Sequence, residues 1–314
     1  MHYIHNLLKI FLVFWEITIY LLRKREEINM KGIQAEIYLL GIVIIWGSTF
    51  AIIKGVLDQI STFTFLAYRF LLAALILYLI FWKRVKENID KTTLKKGSLI
   101  GIFLCLGYAF QTVGLKYTTA TKTGFITGLS VVLVPIISYF FIKEKINRNS
   151  VIGVIFAVIG LWFLNYNSNF SFNFGDFLVL LGAISFAMHI ISVGLYAKKV
   201  DYVPLVIVQL ATVFVLCLLV AIIFERPALH LSYSFNIWWA IILTGVFATA
   251  LAFYMQNRFQ RYSTATKTAI IFSGEPIFAA VFAYLLLGEK VGLIAWAGGL
   301  LIIFGMIISQ RESR

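Results

Sequence analysis

Residues 117–123 read YTTATKT, and residues 262–268 read YSTATKT. The two stretches lie 145 residues apart and align without a gap. The same offset matches further residues outside them, namely Gln111 with Gln256, Glu144-Lys145 with Glu289-Lys290, and Gly160 with Gly305. Helix composition alone does not explain an identical pentapeptide together with a distant matched Glu-Lys pair. The chain therefore contains an internal repeat, which sets its architecture.

The composition is that of an integral membrane protein. Of the 314 residues, 61% are hydrophobic and 13% are charged, whereas soluble domains are about 45–50% apolar and about 25% charged. The net charge of +13 lies mostly in short loops between apolar runs. It therefore indicates membrane topology, and we expect no nucleic-acid partner. Cys105 and Cys217 lie inside apolar runs, where we expect buried thiols and neither a disulfide nor a metal site.

Ten apolar runs have roughly the length, about 18–22 residues, that crosses a ~30 Å hydrocarbon core. They are continuous and do not alternate with polar residues, so they predict helices and not the strands of a barrel. The expected fold class is an all-α integral membrane protein with ten transmembrane helices. Spans 1 to 10 cover residues 36–53, 62–82, 97–115, 119–142, 149–164, 175–196, 203–224, 237–256, 266–287 and 291–308.

The positions of lysine and arginine orient these spans. When span 1 starts in the cytoplasm, 19 of the 27 Lys and Arg residues fall in cytoplasmic segments and four fall on the opposite side. Cytoplasmic loops of membrane proteins carry such an excess of positive charge. We therefore expect a multi-pass protein of the inner (cytoplasmic) cell membrane with both termini in the cytoplasm.

Residues 1–29 fit this pattern less well. Their apolar run, Leu7–Leu22, is about 16 residues long and carries Lys9 and Glu16, so it is short and polar for a span. It could be an extra N-terminal anchoring helix, a signal-like segment without a small-residue cleavage site, or sequence upstream of the natural start. Because Met30 lies close before span 1, we expect the natural start there.

The repeat divides the chain into two halves of five helices, residues 31–164 and residues 175–308. Five is an odd number, so the second half enters the membrane from the opposite side and the halves are inverted. Inverted repeats are a transporter architecture in which the substrate binds at the repeat interface. Two near-equivalent halves can exchange conformations, which gives inward-open and outward-open states of similar energy. The sequence thus predicts a secondary transporter that works by alternating access.

Four groups of residues form a set of motifs along the spans. They are Trp46-Gly47-Ser48-Thr49-Phe50 with Lys54 in span 1, Tyr68-Arg69-Phe70 in span 2, Gly124-Phe125-Ile126-Thr127-Gly128 through Pro135 in span 4, and Glu275-Pro276 running to Gly288-Glu289 in span 9. In this order the set resembles the EamA family of the drug/metabolite transporter superfamily, over essentially all of residues 31–308. The resemblance implies a secondary transporter, commonly an exporter of amino acids or other small metabolites, in a bacterial or archaeal cytoplasmic membrane.

Glu275 is the main candidate for a functional residue. It lies near the middle of span 9, where a charged group costs about 2.5–3.5 kcal/mol on insertion scales. Its counterpart in the first repeat is Ser130, so the acid breaks the symmetry. The carboxyl could exchange protons with the medium or pair with a substrate amine. Alternatively, it locks helix packing, either protonated or paired with an arginine.

Three basic residues inside the spans are further candidates. Arg69 lies roughly 10 Å into span 2 and could bind a substrate carboxylate with two hydrogen bonds. It could instead extend to the outer surface or pair with Glu275. Lys122 and Lys267 occupy equivalent positions in the first turns of spans 4 and 9, at opposite membrane faces. They could be matched gate charges, charges that attract substrate, or ordinary lysines at span ends.

Neutral polar and aromatic residues complete the predicted substrate cavity. Polar groups at membrane depth either hydrogen-bond between helices, at about 0.6 kcal/mol on average, or line a polar path. Aromatic rings could stack on the substrate, although most of them must face lipid or the core. The predicted cavity residues are Trp46, Tyr68, Arg69, Gln111, Lys122, His189, Gln209, Gln256, Lys267 and Glu275.

Proline and glycine predict where helices bend and approach each other. We expect Pro135 and Pro276 to interrupt spans 4 and 9, since proline removes a backbone donor and kinks a helix. These two prolines are not in the same register of the repeat. Small residues four apart allow close helix packing. We expect such packing at Gly124-xxx-Gly128, at Gly153-Ala157-Gly160 in span 5, and at Gly298 with Gly305 in span 10.

Two other classes of function remain as alternatives. A membrane-embedded enzyme would need a nucleophile elbow, a His-Glu-x-x-His motif or clustered acids, and the sequence contains none of these. A structural membrane subunit would not need an inverted repeat with an acid at mid-membrane. We therefore expect no catalytic residue, no metal and no cofactor. The expected partners are a small-molecule substrate, the lipid bilayer and, as a candidate coupling ion, protons.

Overall fold

The computed structural model describes residues 32–164, 166, 172–225, 233–287 and 292–310. The expectation that the natural start is Met30, and with it residues 1–29, lies outside these residues. In the part of the chain that the structure describes, the secondary structure is helical, with no strand.

Ten helical units, α1 to α10, match the ten predicted spans. Nine of them are long and apolar enough to cross a membrane within the described ranges, and α5, with 17 residues, is shorter. The predicted all-α fold with ten membrane helices is confirmed. The units are α1 (Gly32–Lys54), α2 (Thr62–Asn88), α3 (Lys91–Tyr117), α4a (Ala120–Gly128) and α4b (Ser130–Ile142), α5 (Arg148–Leu164), α6 (Phe174–Tyr196), α7 (Tyr202–Val220), α8 (joined segments Phe235–Gly245, Val246–Leu251 and Ala252–Phe259), α9a (Ala265–Phe272) and α9b (Glu275–Leu287), and α10 (Leu293–Gln310).

The repeated heptapeptides form two identical helix starts. Thr119 Oγ1 accepts a hydrogen bond from the backbone amide of Lys122 at 3.1 Å, and Thr264 Oγ1 accepts one from the amide of Lys267 at 3.1 Å. Threonine at this position satisfies one of the free amides of the first turn, a contribution of about 1 kcal/mol. The stretch that reveals the repeat is therefore also the sequence that begins α4a and α9a.

Both α4 and α9 are interrupted at equivalent positions of the repeat. The amide of Leu129 bonds to the carbonyl of Ile126 at 3.1 Å, and the amide of Gly274 bonds to the carbonyl of Ile271, also at 3.1 Å. These three-residue turns replace the four-residue helical pattern, so each helix divides into two halves at mid-membrane. Discontinuous helices at this depth are a feature of transporter binding sites.

The expectation that Pro135 interrupts α4 is wrong. Pro135 lies inside the continuous half-helix α4b, six residues beyond the break at Leu129. A proline removes only its own amide bond, and the helix continues through this position. Pro276, in contrast, is the second residue of α9b, directly after the break in α9. In a first turn its missing amide hydrogen costs little, because that amide has no partner within the helix.

Helices α1 and α6 run in opposite directions between the same two ends of the molecule. At one end, Lys54 Nζ donates to the carbonyls of Leu115 and Thr118, and the Thr118 hydroxyl donates to Asp176 Oδ1 at 2.5 Å. Lys54 ends α1 and Asp176 lies in the first turn of α6. The end of α1 and the start of α6 thus meet at the C-terminus of α3.

The opposite end repeats this arrangement with the helices exchanged. Lys198 Nζ, just after α6, donates to the carbonyl of Ser263 at 3.4 Å, and the Ser263 hydroxyl donates to Glu36 Oε1, near the start of α1, at 3.3 Å. The 18 positions from Glu36 to Lys54 span about 27 Å of helix, close to the ~30 Å hydrocarbon core. Because α1 and α6 connect these two ends in opposite directions, the two halves are inverted repeats.

Helices α5 and α10 pack with their backbones in contact, as predicted. A Cβ atom built on Gly160 would lie 2.5 Å from the carbonyl oxygen of Gly298, and one on Gly153 would lie 2.8 Å from that of Gly305. The predicted Gly124-xxx-Gly128 motif is close-packed only at Gly128, where a Cβ would lie 3.0 Å from Leu161. Another repeat-related pair, α2 and α7, also packs together.

The two cysteines are closer together than the sequence indicates. Packing of α3 on α7 brings Cys105 Sγ to 3.8 Å from Cys217 Sγ, and both are buried free thiols. The outer surface of the bundle is covered with large exposed apolar side chains, such as Leu79, Phe141 and Leu300. Such a surface suits lipid and not water.

We predict that Gly160→Ala lowers the free energy of unfolding by about 1–3 kcal/mol, because the added methyl group would overlap the Gly298 carbonyl. Helix propensity alone would favour alanine by about 1 kcal/mol. Gly299→Ala is the matched control, since its Cβ would lie 3.5 Å from Ile277. Thermal unfolding in detergent should show a loss for Gly160→Ala only, and an equal loss in both variants would contradict the packing.

Candidate functional site

A cavity lies between the two repeats, with about 630 Å³ of space free of protein atoms, part of it open to solvent. It is lined by residues of α1, α2, α3, α4, α6, α8 and α9, so both halves of the protein contribute. The lining residues are Trp46, Thr49, Phe50, Ile53, Arg69, Tyr108, Gln111, Thr127, Ser130, Phe186, His189, Ile190, Phe253, Gln256, Phe272 and Glu275.

Most of these residues form pairs of repeat-equivalent positions. The residue numbers of equivalent positions differ by 145 between α3 and α8 and between α4 and α9. They differ by 140 for the first two helices of each repeat, as Thr62 and Tyr202, which begin α2 and α7, show. The pairs are Trp46 with Phe186, Thr49 with His189, Phe50 with Ile190, Tyr108 with Phe253, Gln111 with Gln256, Thr127 with Phe272, and Ser130 with Glu275. The cavity therefore lies on the pseudo-two-fold axis.

Arg69 is held at the cavity by a π-helical turn of α8. Its Nε donates to Thr249 Oγ1 at 2.6 Å, and its Nη2 lies 3.3 Å from the Tyr108 hydroxyl and 3.4 Å from the carbonyl of Ala248. The wider turn at Val246–Leu251 leaves the Ala248 carbonyl available, and such turns frequently occur at functional sites. Arg69 therefore neither extends to the surface nor forms an ion pair with Glu275 among the described residues.

Trp46 and Gly47 fix α1 against the cavity. The Trp46 indole Nε1 donates to the same Ala248 carbonyl at 2.9 Å. A Cβ on Gly47 would lie 2.8 Å from the carbonyl oxygen of Glu275 and 2.7 Å from Phe278 Cβ. Glycine is therefore required at position 47, because α1 directly contacts the backbone at the start of α9b.

Glu275 is the first residue of α9b and faces the cavity. Its side chain lies deep in the protein, yet part of its surface remains accessible because the cavity adjoins it. No hydrogen bond or ion pair holds its carboxyl in the part of the chain that the structure describes. The positive end of the half-helix dipole stabilises a negative charge at this position. The Tyr108 hydroxyl is close enough to interact electrostatically with both Glu275 and Arg69.

The predicted neutral polar residues Gln111 and Gln256 form hydrogen bonds with other side chains around the cavity. Gln111 Nε2 donates to Thr127 Oγ1 at 2.9 Å, and Gln256 Nε2 donates to Gln260 Oε1 at 2.9 Å. Gln256 Oε1 is buried without a hydrogen-bond partner among the described residues. The Glu275 carboxyl, in contrast, is partly accessible and gives the cavity an acceptor that no described protein group uses.

Four predicted cavity residues lie elsewhere, so those predictions are wrong. Tyr68 turns away and packs on Trp238, with ring centroids 5.6 Å apart. Gln209 lies behind the cavity wall, where its Oε1 is 3.1 Å from His189 Nε2; this amide oxygen only accepts, so we assign the hydrogen to Nε2. Lys122 and Lys267 lie at opposite ends of the molecule, because each lies in the first turn of a half-helix at a membrane face. Lys122 Nζ is 3.6 Å from Asp176 Oδ2, and Lys267 Nζ is 3.8 Å from Glu36 Oε1.

Sequence reasoning missed the groups that position Arg69. Tyr108 and Thr249 are ordinary members of apolar spans, and nothing in the sequence marks the π-helical turn. Tyr108 could have been found from the repeat, because it lies one helical turn before Gln111 on the same face of α3. Among the described residues, no group of three or more His, Cys, Asp or Glu side chains could hold a metal ion.

A model of the EamA-like transporter family matches residues 33–166 and 173–310. The chain belongs to the EamA-like transporter family. The two matches begin 140 residues apart, which is the offset that pairs α1 with α6 in the cavity. The protein is therefore a multi-pass membrane transporter built from two family repeats.

Relatives and a solved structure agree with this assignment. The chain is 36% identical to an uncharacterized transporter of Archaeoglobus fulgidus, over 89% of this chain and 87% of that protein. It is 26% identical to the uncharacterized transporter YoaV of Bacillus subtilis, over 86% and 94%. A crystal structure with 16% identity shares the fold with a TM-score of 0.72, over 88% of this chain and 96% of that one.

We predict that Thr249→Val lowers the free energy of unfolding by about 1–3 kcal/mol, because it leaves the buried Nε–H of Arg69 without an acceptor. The control is Thr212→Val, since the Thr212 hydroxyl donates to the carbonyl of Val208 in its own helix. Unfolding in mixed micelles should separate the two variants. Equal stability of Thr249→Val and the parent protein would contradict the described role of Thr249.

Proposed function

We propose that this protein is a secondary transporter that exports amino acids or related small metabolites by alternating access at the repeat interface. The observation that carries the proposal is the presence of a guanidinium and a carboxyl group in one cavity. Arg69 and Glu275 line the same cavity, but they do not form an ion pair with each other in the described part of the chain.

A zwitterionic solute would satisfy both charges. Arg69 uses its Nε and Nη2 for protein partners, and Nη1 has no acceptor among the described residues. Nη1 can therefore donate to a substrate carboxylate. The Glu275 carboxyl, which is partly accessible, can accept from a substrate ammonium group. A buried ionisable group without an opposite charge beside it is costly, and a zwitterionic substrate would supply an opposite charge to both Arg69 and Glu275.

The remaining walls favour a solute with an apolar body. Aromatic rings from both repeats surround the polar groups of the cavity. Most ligand pockets combine such apolar walls with a few polar groups that fix orientation. The aromatic wall residues are Trp46, Phe50, Phe186, Phe253 and Phe272.

Orientation and cellular location are part of the proposal. The excess of Lys and Arg in alternate loops supports placement of both termini in the cytoplasm. We place the protein in the cytoplasmic membrane, with residues 31–164 and 175–308 as its two repeat domains. Glu275 is also the group through which protons could couple to transport, since it is an unpaired carboxyl in the cavity.

We predict that Glu275→Gln lowers transport of zwitterionic amino acids by about tenfold or more, because a charge-assisted hydrogen bond contributes about 1.5–3 kcal/mol. Efflux of a radiolabelled solute panel from proteoliposomes measures this, with leucine compared with its analogues that lack either the amino or the carboxyl group. Glu87→Gln, which removes an exposed carboxylate at the end of α2, is the control.

The parent protein should move leucine faster than either analogue, and Glu275→Gln should abolish that preference and any pH dependence of efflux. Transport that is the same in Glu275→Gln and the parent protein would contradict the proposed role of Glu275. If the parent protein moves none of the zwitterionic solutes, the proposed substrate class is wrong.

A further inference from the structure

Each end of the molecule carries a polar network that joins the two repeats. The Asp176 network consists of Lys54, Thr118, Lys122 and Asp176. The Glu36 network consists of Lys198, Ser263, Lys267 and Glu36. In the Asp176 network, Lys54 donates to the carbonyl of Thr118. In the Glu36 network, Lys198 donates to the carbonyl of Ser263. The hydroxyl groups of Thr118 and Ser263 then donate to a carboxylate of the other repeat, Asp176 and Glu36 respectively.

The ion pair that completes each network also joins the two repeats. Lys122 of α4a lies 3.6 Å from Asp176 of α6, and Lys267 of α9a lies 3.8 Å from Glu36 of α1. The two carboxylate side chains are only 3% and 7% exposed. At such burial an ion pair is weakly screened by solvent, and loss of one partner leaves a charge in a poor environment.

The half-helices α4a and α9a connect each ion pair to the cavity. Lys122 lies five residues before Thr127, which lines the cavity, and the break at Leu129 follows directly. Lys267 stands in the same relation to Phe272, and the break at Ser273-Gly274 follows. Each half-helix therefore carries an ion pair in its first turn and ends at a break in the helix, next to the cavity.

We propose that the Asp176 network and the Glu36 network are the two gates of the transport cycle, of which one must break for the cavity to open at its own end of the molecule. This inference rests on the proposed transport function and adds the residues that control access. Both ion pairs are formed in this structure. Weakening one network favours the state that is open at that end. The two networks therefore shift the equilibrium between the two open states in opposite directions.

Opposite shifts in the accessibility of the cavity test this inference without a substrate. The reporter is Ser130→Cys, in a background with Cys105→Ala and Cys217→Ala. A charged, membrane-impermeant thiosulfonate reagent is applied to each face in vesicles of known sidedness. Asp176→Asn should raise the labelling rate from the Asp176 face by about threefold or more and lower it from the other face. Glu36→Gln should do the reverse.

Two further variants separate gating from a general loss of structure. The charge swap Lys122→Asp with Asp176→Lys restores an ion pair and should return both labelling rates toward those of the parent. Arg84→Gln removes an ion pair with Asp201, 2.8 Å in length, that joins α2 to α7 and belongs to neither network. It should leave both rates unchanged.

The proposal is overturned if Asp176→Asn and Glu36→Gln shift labelling in the same direction, or if neither changes it. It is also overturned if Arg84→Gln has the same effect as either of them. Failure of the solute panel would leave these labelling results intact, so the gates and the substrate class are tested separately. Opposite shifts, with rescue by the charge swap, support the two gates.

Discussion

A bilayer offers no water to a charged or polar side chain, so such groups must find partners inside the protein. In this chain the partners at the membrane faces come from the other repeat. Thr118 and Lys122 meet Asp176 at one end, and the same arrangement with Ser263, Lys267 and Glu36 occurs at the other. These contacts tie α1 and α6 together in opposite directions. The inverted architecture and the shared cavity depend on them, and the two proposed gates are built from them.

The cavity lies where this symmetry is broken. Most cavity positions form equivalent pairs, but only one member of some pairs carries an ionisable side chain. Glu275 faces Ser130 across the axis, and the position equivalent to Arg69 in α7 is Gln209, which is engaged with His189. In the proposed mechanism, symmetry provides two conformations of similar energy, whereas asymmetry provides a site that distinguishes the two ends of a solute. Transport of an oriented molecule needs both.

The sequence predicts the helices, the inverted repeat and the position of Glu275, because each depends on local hydrophobicity or on a register that can be counted. It does not predict the partners of Lys122 and Lys267, because each carboxylate belongs to the other repeat and follows a different offset. Pro135 is misleading because a proline does not have to break a helix, and the break lies six residues earlier, at Leu129. The π-helical turn that holds Arg69 likewise has no sequence signal.

The inverted orientation of the repeats is the central claim, and the two repeated heptapeptides provide its most direct test. Tyr117 and Tyr262 are both exposed, 60% and 45%, and they occupy equivalent positions. Single cysteines at these two sites, in a background without Cys105 and Cys217, can be labelled with an impermeant maleimide on intact cells and on inside-out vesicles. Inverted repeats predict that the two cysteines react from opposite sides of the membrane. Reaction of both from the same side would contradict the inverted architecture and, with it, alternating access at the repeat interface.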